Sequence, residues 1–387
     1  MKIFGKIVLS VLAAAVITFA GFVGSVLVML TAENIFIMVL VPVTAVIVLL
    51  FVIDCIWRLL RTKTRCIIFA ALMSAVVLAA IGNGAYRAYD KRIPTVNQEV
   101  DLRQYKPFAE NTKAVKLDEP STLTLTAGLP RLDGATALYP LYAAFAQAVY
   151  PEGEYNPYSN GYVACGKTDE AYATLIKGGA DIIFAAGPSK EQRQLAADCG
   201  VELKLTPIGR EAFVFFVNAK NPVNELSVDD IRSIYAGTST NWKEFGGKDK
   251  QIRAFQRPTG SGSQTALINL MDGAELMTPP QEDVAAGMGG MIKSVTAYKN
   301  YDNAIGYSFL FYASEMAADK KIKLLELNGV APTRENVANG TYPYSSEFYA
   351  VTAGSENPDV DRFIEWMLSE QGQYLVEKTG YTPLNKQ

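Results

Sequence analysis

The sequence of 387 residues contains no histidine and only four cysteines. Without histidine the chain lacks the side chain most often used as a general base near neutral pH, and the commonest metal ligand. Cys55, Cys66, Cys165 and Cys199 stand at no paired zinc spacing, so no metal ion or cofactor is expected. A basic surplus is missing too. The formal net charge is −3 at pH 7, which argues against nucleic acid as a partner. There is no internal repeat and no low-complexity tract.

Charge is also scarce at the start of the chain, which holds three long apolar runs: 7–30, 35–57 and 66–86. Each is near the roughly 20 residues that span a bilayer. The first run is too long for a signal-peptide core and two more follow at once, so 1–90 is expected to be a membrane region with three transmembrane helices. Lys2 and Lys6 precede the first run, the first loop has no positive charge, and Arg58, Arg61, Lys63 and Arg65 fill the second. Basic loops stay in the cytoplasm. The expectation is therefore a multi-pass cell-membrane protein with its N-terminus inside and the rest of the chain facing out. Residues 1–90 carry seven basic and three acidic side chains, net +4, so −7 falls on 91–387. An anion held by so acidic a domain must be held by local dipoles. Asp54 is the one ionisable residue well inside an apolar run, too little for a transport path of the helices' own. Cys55 and Cys66 read as apolar filler, and Cys165 with Cys199 as a candidate disulfide on the outer side.

Residues 91–120 are polar and mixed, and read as a stalk whose "DLRQYKPF" can pack on the domain. Beyond 120, strand-like and helix-like pieces alternate. "STLTLTAG" (121–128), "ADIIFAAG", "EAFVFFVNAKNPV", "QIRAFQR" and the start of "NAIGYSFLFYASEM" read as strands. "ATALYPLYAAFAQAVY" reads as a helix, and so does "TDEAYATLIKGG" with Thr168 as N-cap. "SVDDIRSIYAG" is a helix capped by Ser227 and stopped by Gly237. "NPDVDRFIEWMLSEQGQYLVEKTG" (357–380) reads as one long amphipathic helix. The alternation predicts an α/β class with mostly parallel sheets, in two lobes.

One stretch, "RPTGSGSQTA" (257–266), asks whether it is a nucleophile or an anion cradle. A serine nucleophile needs an adjacent base, and histidine is absent. Neither Ser261 nor Ser263 has glycine at both −2 and +2, so the nucleophile-elbow spacing fails. The segment holds no P-loop pattern either. A cradle needs less. A helix N-terminus offers free N–H groups and the positive end of a dipole. Gly260 and Gly262 allow close backbone approach, the serines donate, and Arg257 offers a bidentate fork. The bland alternative is a capped helix after a glycine turn, with Arg257 in a surface ion pair. "DGATALYP" (133–140) and "GKTDEAY" (166–172) repeat the design with Thr136 and Thr168. Such junctions converge at the carboxyl ends of parallel strands. Asp169 and Glu170 oppose this unless they point outward.

These residues also resemble a family. From about 115 to the C-terminus, "LDGATALYPLYAAF", "LIKGGADIIFAA", "FVFFVNAKNPVNELSVDDIRSIYAGTSTNW", "RPTGSGSQT", "NAIGYSF" and "GYTPLN" occur in the order found in the phosphate-binding (PstS-like) proteins of phosphate ABC transporters. The resemblance implies a periplasmic-binding-protein-like, type II, α/β fold with mixed sheets. It implies lobe 1 over about 121–206 and 332–387, lobe 2 over about 207–331, and phosphate between them. It carries phosphate contacts onto Thr136, Ala137, Thr168, Arg257, Ser261, Gly262 and Ser263. Asp133, Ser189 and Arg210 are further candidates. The family's acid after the "D-I/F-x-A-S" strand, which accepts the proton of hydrogen phosphate, is missing, since Ala186 or Gly187 stands there. That leaves open phosphate against sulfate, with Asp133 as one substitute.

The expected function is thus a membrane-tethered, non-enzymatic solute-binding protein. It captures inorganic phosphate and passes it to an ABC transporter permease, the helices serving as tether. Two alternatives share the domain: an anion sensor signalling through its membrane helices, and a binder of another tetrahedral oxyanion such as sulfate. An enzyme acting on phosphate esters is disfavoured by the missing histidine and metal cluster.

Overall fold

The computed structural model describes residues 3–31, 35–92, 100–280, 284–285, 302–318 and 320–384. The first loop (32–34), residues 93–99 of the expected stalk and the last three residues lie outside them. The chain divides into two compact units, 1–94 and 95–387.

The first unit consists of α1 (Ile3–Thr31), α2 (Ile35–Trp57) and α3 (Thr62–Arg92). Within them Ile3–Val28, Val39–Trp57 and Thr62–Ala85 are long and apolar enough to cross a membrane. Small residues bring α1 and α2 together: a Cβ on Gly21 would stand 2.9 Å from the Cβ of Ala45. Asp54 is not left alone in this apolar setting. It accepts a hydrogen bond from the Leu60 N–H at 2.9 Å and faces Arg65 at 3.5 Å. The indole of Trp57 donates to Ser10 Oγ at 3.0 Å.

The second unit is a mixed α/β domain. Its main sheet comprises β1 (Leu132–Gly134), β2 (Ile182–Ala185), β3 (Lys204–Asn218), β5 (Arg253–Ala254), β6 (Ala304–Phe309), β7 (Ile322–Leu324) and β9 (Ser345–Thr352). The order is β1-β2-β9-β3-β6-β5, with β7 also on β3. A small parallel pair joins β4 (Glu225–Leu226) to β8 (Glu326–Leu327). β1–β2 and β5–β6 are parallel, whereas β9 and β3 run antiparallel to their neighbours. The sheet is therefore mixed, not mostly parallel as the alternation of elements suggested. The physical reason is β3. Its residues 204–212 pair with β9 and 213–217 with β6. One strand thus joins two half-sheets and imposes its direction on both. Its apolar run from Phe213 to Val217 is fully buried, as a central strand covered on both faces requires.

The helices of this unit are α4 (Tyr139–Val149), α5 (Lys167–Ile176), α6 (Lys190–Asp198), α7 (Val228–Tyr235), α8 (Gly262–Leu270), α9 (Arg334–Ala338), α10 (Asp359–Leu368) and α11 (Glu370–Thr379). Ser227 caps α7 in a capping box with Asp230, and Gly237 follows it at φ +75°. The expected single helix over 357–380 is two. Ser369, with ψ 172°, breaks it and caps α11, which ends at left-handed Gly380. The segment 121–128 forms no strand. Its Leu123 and Leu125 are buried, but its backbone runs beside α4, where the Leu125 N–H reaches the Val149 carbonyl at 2.9 Å. Leu102, Tyr105 and Ala114 belong to the domain core, so residues 100–120 pack against the domain and do not project from it. Cys165 and Cys199 are free thiols, and Cys199 is exposed.

Candidate functional site

Three junctions meet around one cavity of about 190 Å³. At the first, β1 ends at Gly134 and the chain turns through a 3-10 turn, Thr136–Leu138, into α4. At the second, an extended segment runs into the start of α5. At the third, β5 leads through Arg257 to the N-terminus of α8. β1 and β5 each pair in parallel, so the cavity lies beyond the carboxyl ends of parallel strands.

Thr136, Ala137, Thr168, Arg257, Ser261, Gly262 and Ser263 all line this cavity. Neither the Thr136 turn nor α5 has a side-chain cap hydrogen bond, and both begin at the cavity, where the positive end of a helix dipole favours an anion. Thr168 is not the N-cap expected from sequence. Gly166 takes that place, and Thr168 sits in the first turn, buried. Ser261 does cap α8, accepting from the Gln264 N–H at 3.3 Å. Arg257 Nη1 donates to Ser263 Oγ at 3.3 Å, and both residues line the same cavity.

The backbone of Arg257 is fixed from behind. Its N–H donates to Gln264 Oε1 at 2.8 Å and to the Tyr307 hydroxyl at 3.0 Å. The Tyr307 hydroxyl also bonds Gln264, and Gln264 Nε2 donates to Gln256 Oε1 at 3.1 Å. All three partners are buried. The Tyr381 hydroxyl of "GYTPLN" donates to the Ala137 carbonyl, which anchors the first junction.

Asp133, Ser189 and Arg210 do not line the cavity. Asp133 works one step back: its Oδ1 accepts from the N–H groups of Gly134 at 2.7 Å and Gly166 at 2.6 Å, tying the first junction to the second. Burial raises its pKa, and these two bonds oppose the rise. Ser189 caps α6 through a capping box with Gln192. Arg210 pairs through its backbone with Thr382.

The cavity has further walls that the sequence expectations did not include, Lys167, Thr259, Phe309 and Tyr312, and it is also lined by Asp169, which those expectations required to point outward. Lys167 had a signal. "GYVACGKT" (161–168) matches the pattern G-x-x-x-x-G-K-[ST]. Its Lys167 opens α5 and lines the cavity. Val163 makes a lone parallel bridge to Leu132, and Lys167 adopts φ +70°. A cavity of about 190 Å³ is below the roughly 300–1,000 Å³ of ordinary small-molecule pockets and suits a small ion. Asp169 does face inward, against the backbone of Gly260, so its charge partly offsets Lys167 and Arg257.

A family model described as the PBP superfamily domain matches residues 121–371, and the chain belongs to that superfamily. The phosphate-binding protein PstS of Bacillus subtilis (strain 168) is 28% identical over 276 residues, covering 71% of this chain and 85% of that protein. Among solved structures, a putative phosphate ABC transporter substrate-binding protein with bound phosphate from Clostridium perfringens is 26% identical with a TM-score of 0.53, covering 67% of this chain and all of that one (100%). An ABC-type phosphate transport receptor from Vibrio cholerae, at 22% identity and a TM-score of 0.50, covers 66% of this chain and 100% of that one and has the same fold.

Proposed function

We propose that the chain is a membrane-tethered, extracytoplasmic solute-binding protein that captures inorganic phosphate between two lobes and delivers it to an ABC permease. The observation that carries the reading is the meeting of Arg257, Ser261 and Ser263 with Thr136 and Thr168 around one ion-sized cavity. A tetrahedral oxyanion there receives a guanidinium fork, hydroxyl donors and helix N–H groups together. The two half-sheets joined through β3 act as lobes 1 and 2. Closure brings Thr136 and Thr168 from the first against Arg257 and α8 from the second. The similarity to phosphate-binding proteins of Bacillus subtilis and Clostridium perfringens supports phosphate as the anion. Three apolar helices tether the domain near its permease, with the N-terminus inside.

Arg257→Ala tests the cradle. Isothermal titration of the full chain in detergent micelles should show phosphate binding lost, with the thermal midpoint of the domain within a few degrees of the native one. Phosphate binding retained by a folded variant would overturn the assignment.

A further inference from the structure

Behind the cavity lies a second chamber of about 20 Å³. It shares Ala135, Ala137, Thr168, Gly262 and Phe309 with the first, so the two are neighbours across a common wall. What it adds includes Ala186 and Glu211. Its volume suffices for one water-sized group.

Glu211 stands on β3 where the strand passes from β9 to β6, paired with Ser346 two residues before Phe213 meets Phe309. It is only 6% exposed. Its Oε1 accepts from the Phe311 N–H at 3.1 Å, while its Oε2 is buried with no hydrogen-bond partner among the described residues. A buried carboxyl oxygen left open is costly and calls for a proton on it, a ligand beside it, or both. An acid at 186 would have stood on the wall of this same chamber. Ala186 supplies no acid to that wall, and Glu211, from a different strand, lines the same chamber.

We propose that Glu211 is the acid of the anion site: protonated, it faces the bound anion across this chamber and couples anion capture to proton uptake. The proposal rests on the reading of the main cavity as a phosphate site.

The surroundings give the direction of the coupling. Burial pushes the Glu211 carboxyl up to about 8, against the backbone N–H groups of Phe311 and Ala212 and the charge of Arg334. Arg334, on α9, shares its charge with Glu315. The other titratable groups nearby are the Tyr381 hydroxyl and Glu347 on β9, and neither favours a carboxylate. An anion beside the carboxyl raises its pKa further. Above about pH 8 binding must then restore a proton, so phosphate affinity falls as pH rises.

The test is calorimetric titration of the full chain in micelles with inorganic phosphate at pH 7 and pH 9, for the native protein and Glu211→Gln. Phosphate's own ionisation is common to both, so the ratio of their affinities isolates Glu211. The native protein's advantage should shrink about tenfold between the two pH values, the loss expected one unit above a pKa near 8. A constant ratio, with both proteins binding, overturns the role of Glu211 and leaves the cradle standing. No phosphate binding by the native protein overturns both. Infrared difference spectra of the native protein need no variant to fold. At pH 9, adding phosphate should bring up the carbonyl stretch of a protonated carboxyl. Its absence with phosphate bound contradicts the proposal.

Discussion

Thr168 Oγ1 lies 3.0 Å from the point where a Cβ on Gly262 would stand. The two residues come from different half-sheets, one at the start of α5 and one at the start of α8. The absence of a side chain at 262 therefore sets how closely the two helix N-termini approach, and with it the size of the cavity.

Gly262→Ala should push these ends apart by a few tenths of an ångström. Phosphate affinity should fall about tenfold, a cost of about 1.4 kcal/mol, with little change in thermal stability. Titration and a thermal melt on the same sample check this. A stability loss that matches the affinity loss would instead mark a general packing defect.

Gly260 is constrained twice. Its φ is +88°, and a Cβ would stand 2.6 Å from Asp169 Oδ1. Gly260→Ala should cost about 1–2 kcal/mol for the left-handed backbone alone, plus the clash. In a double-mutant cycle, Asp169→Ala should recover the clash and leave the backbone cost. Urea unfolding of the four proteins measures both parts.

The network behind Arg257 predicts an effect without ligand contact. Tyr307→Phe removes the hydroxyl that holds the Arg257 N–H and Gln264. Loss of one buried bond costs about 1–3 kcal/mol. It should appear as weaker phosphate binding as well as lower stability, because the arginine loses its fixed origin. Unchanged affinity would show that the Gln264 bond to the Arg257 N–H and the side-chain contacts of Arg257 position it without Tyr307.

Glu211 also predicts a pH dependence of folding without ligand. Burial raises its carboxyl from 4.5 to about 8. The folded state then binds a proton that the unfolded state releases between those values. The associated stability is fully present below about pH 4.5 and is lost as pH rises through about 8, at up to roughly 1.4 kcal/mol per pH unit. Glu211→Gln should lack this slope. Its unfolding midpoint should gain on the native protein from pH 5 to pH 8.

Much of this was legible in the sequence because it depends on local pattern. The apolar run 211–218 became part of β3, Ser227 and Gly237 bounded a helix, and glycines with hydroxyls before helices marked the cavity. What was not legible depends on partners distant in the chain. "STLTLTAG" alternates like a strand but meets α4 instead of a sheet edge. The hydrophobic period runs on through Ser369, yet the extended backbone there starts a new helix. Gln264 looks like an ordinary helical glutamine until Tyr307 and Gln256 arrive beside it. Glu211 is hidden in an apolar strand, and the register of β3 against β9 and β6 sets it in the chamber behind the cavity.

The measurement that tests the central claim most directly is calorimetric titration of the full chain in micelles with phosphate and, separately, with sulfate at pH 7. Tight binding of phosphate, lost in Arg257→Ala, with sulfate bound far more weakly, is the predicted result. Failure to bind phosphate, or equal binding of sulfate, would contradict the assignment of this cavity to phosphate capture.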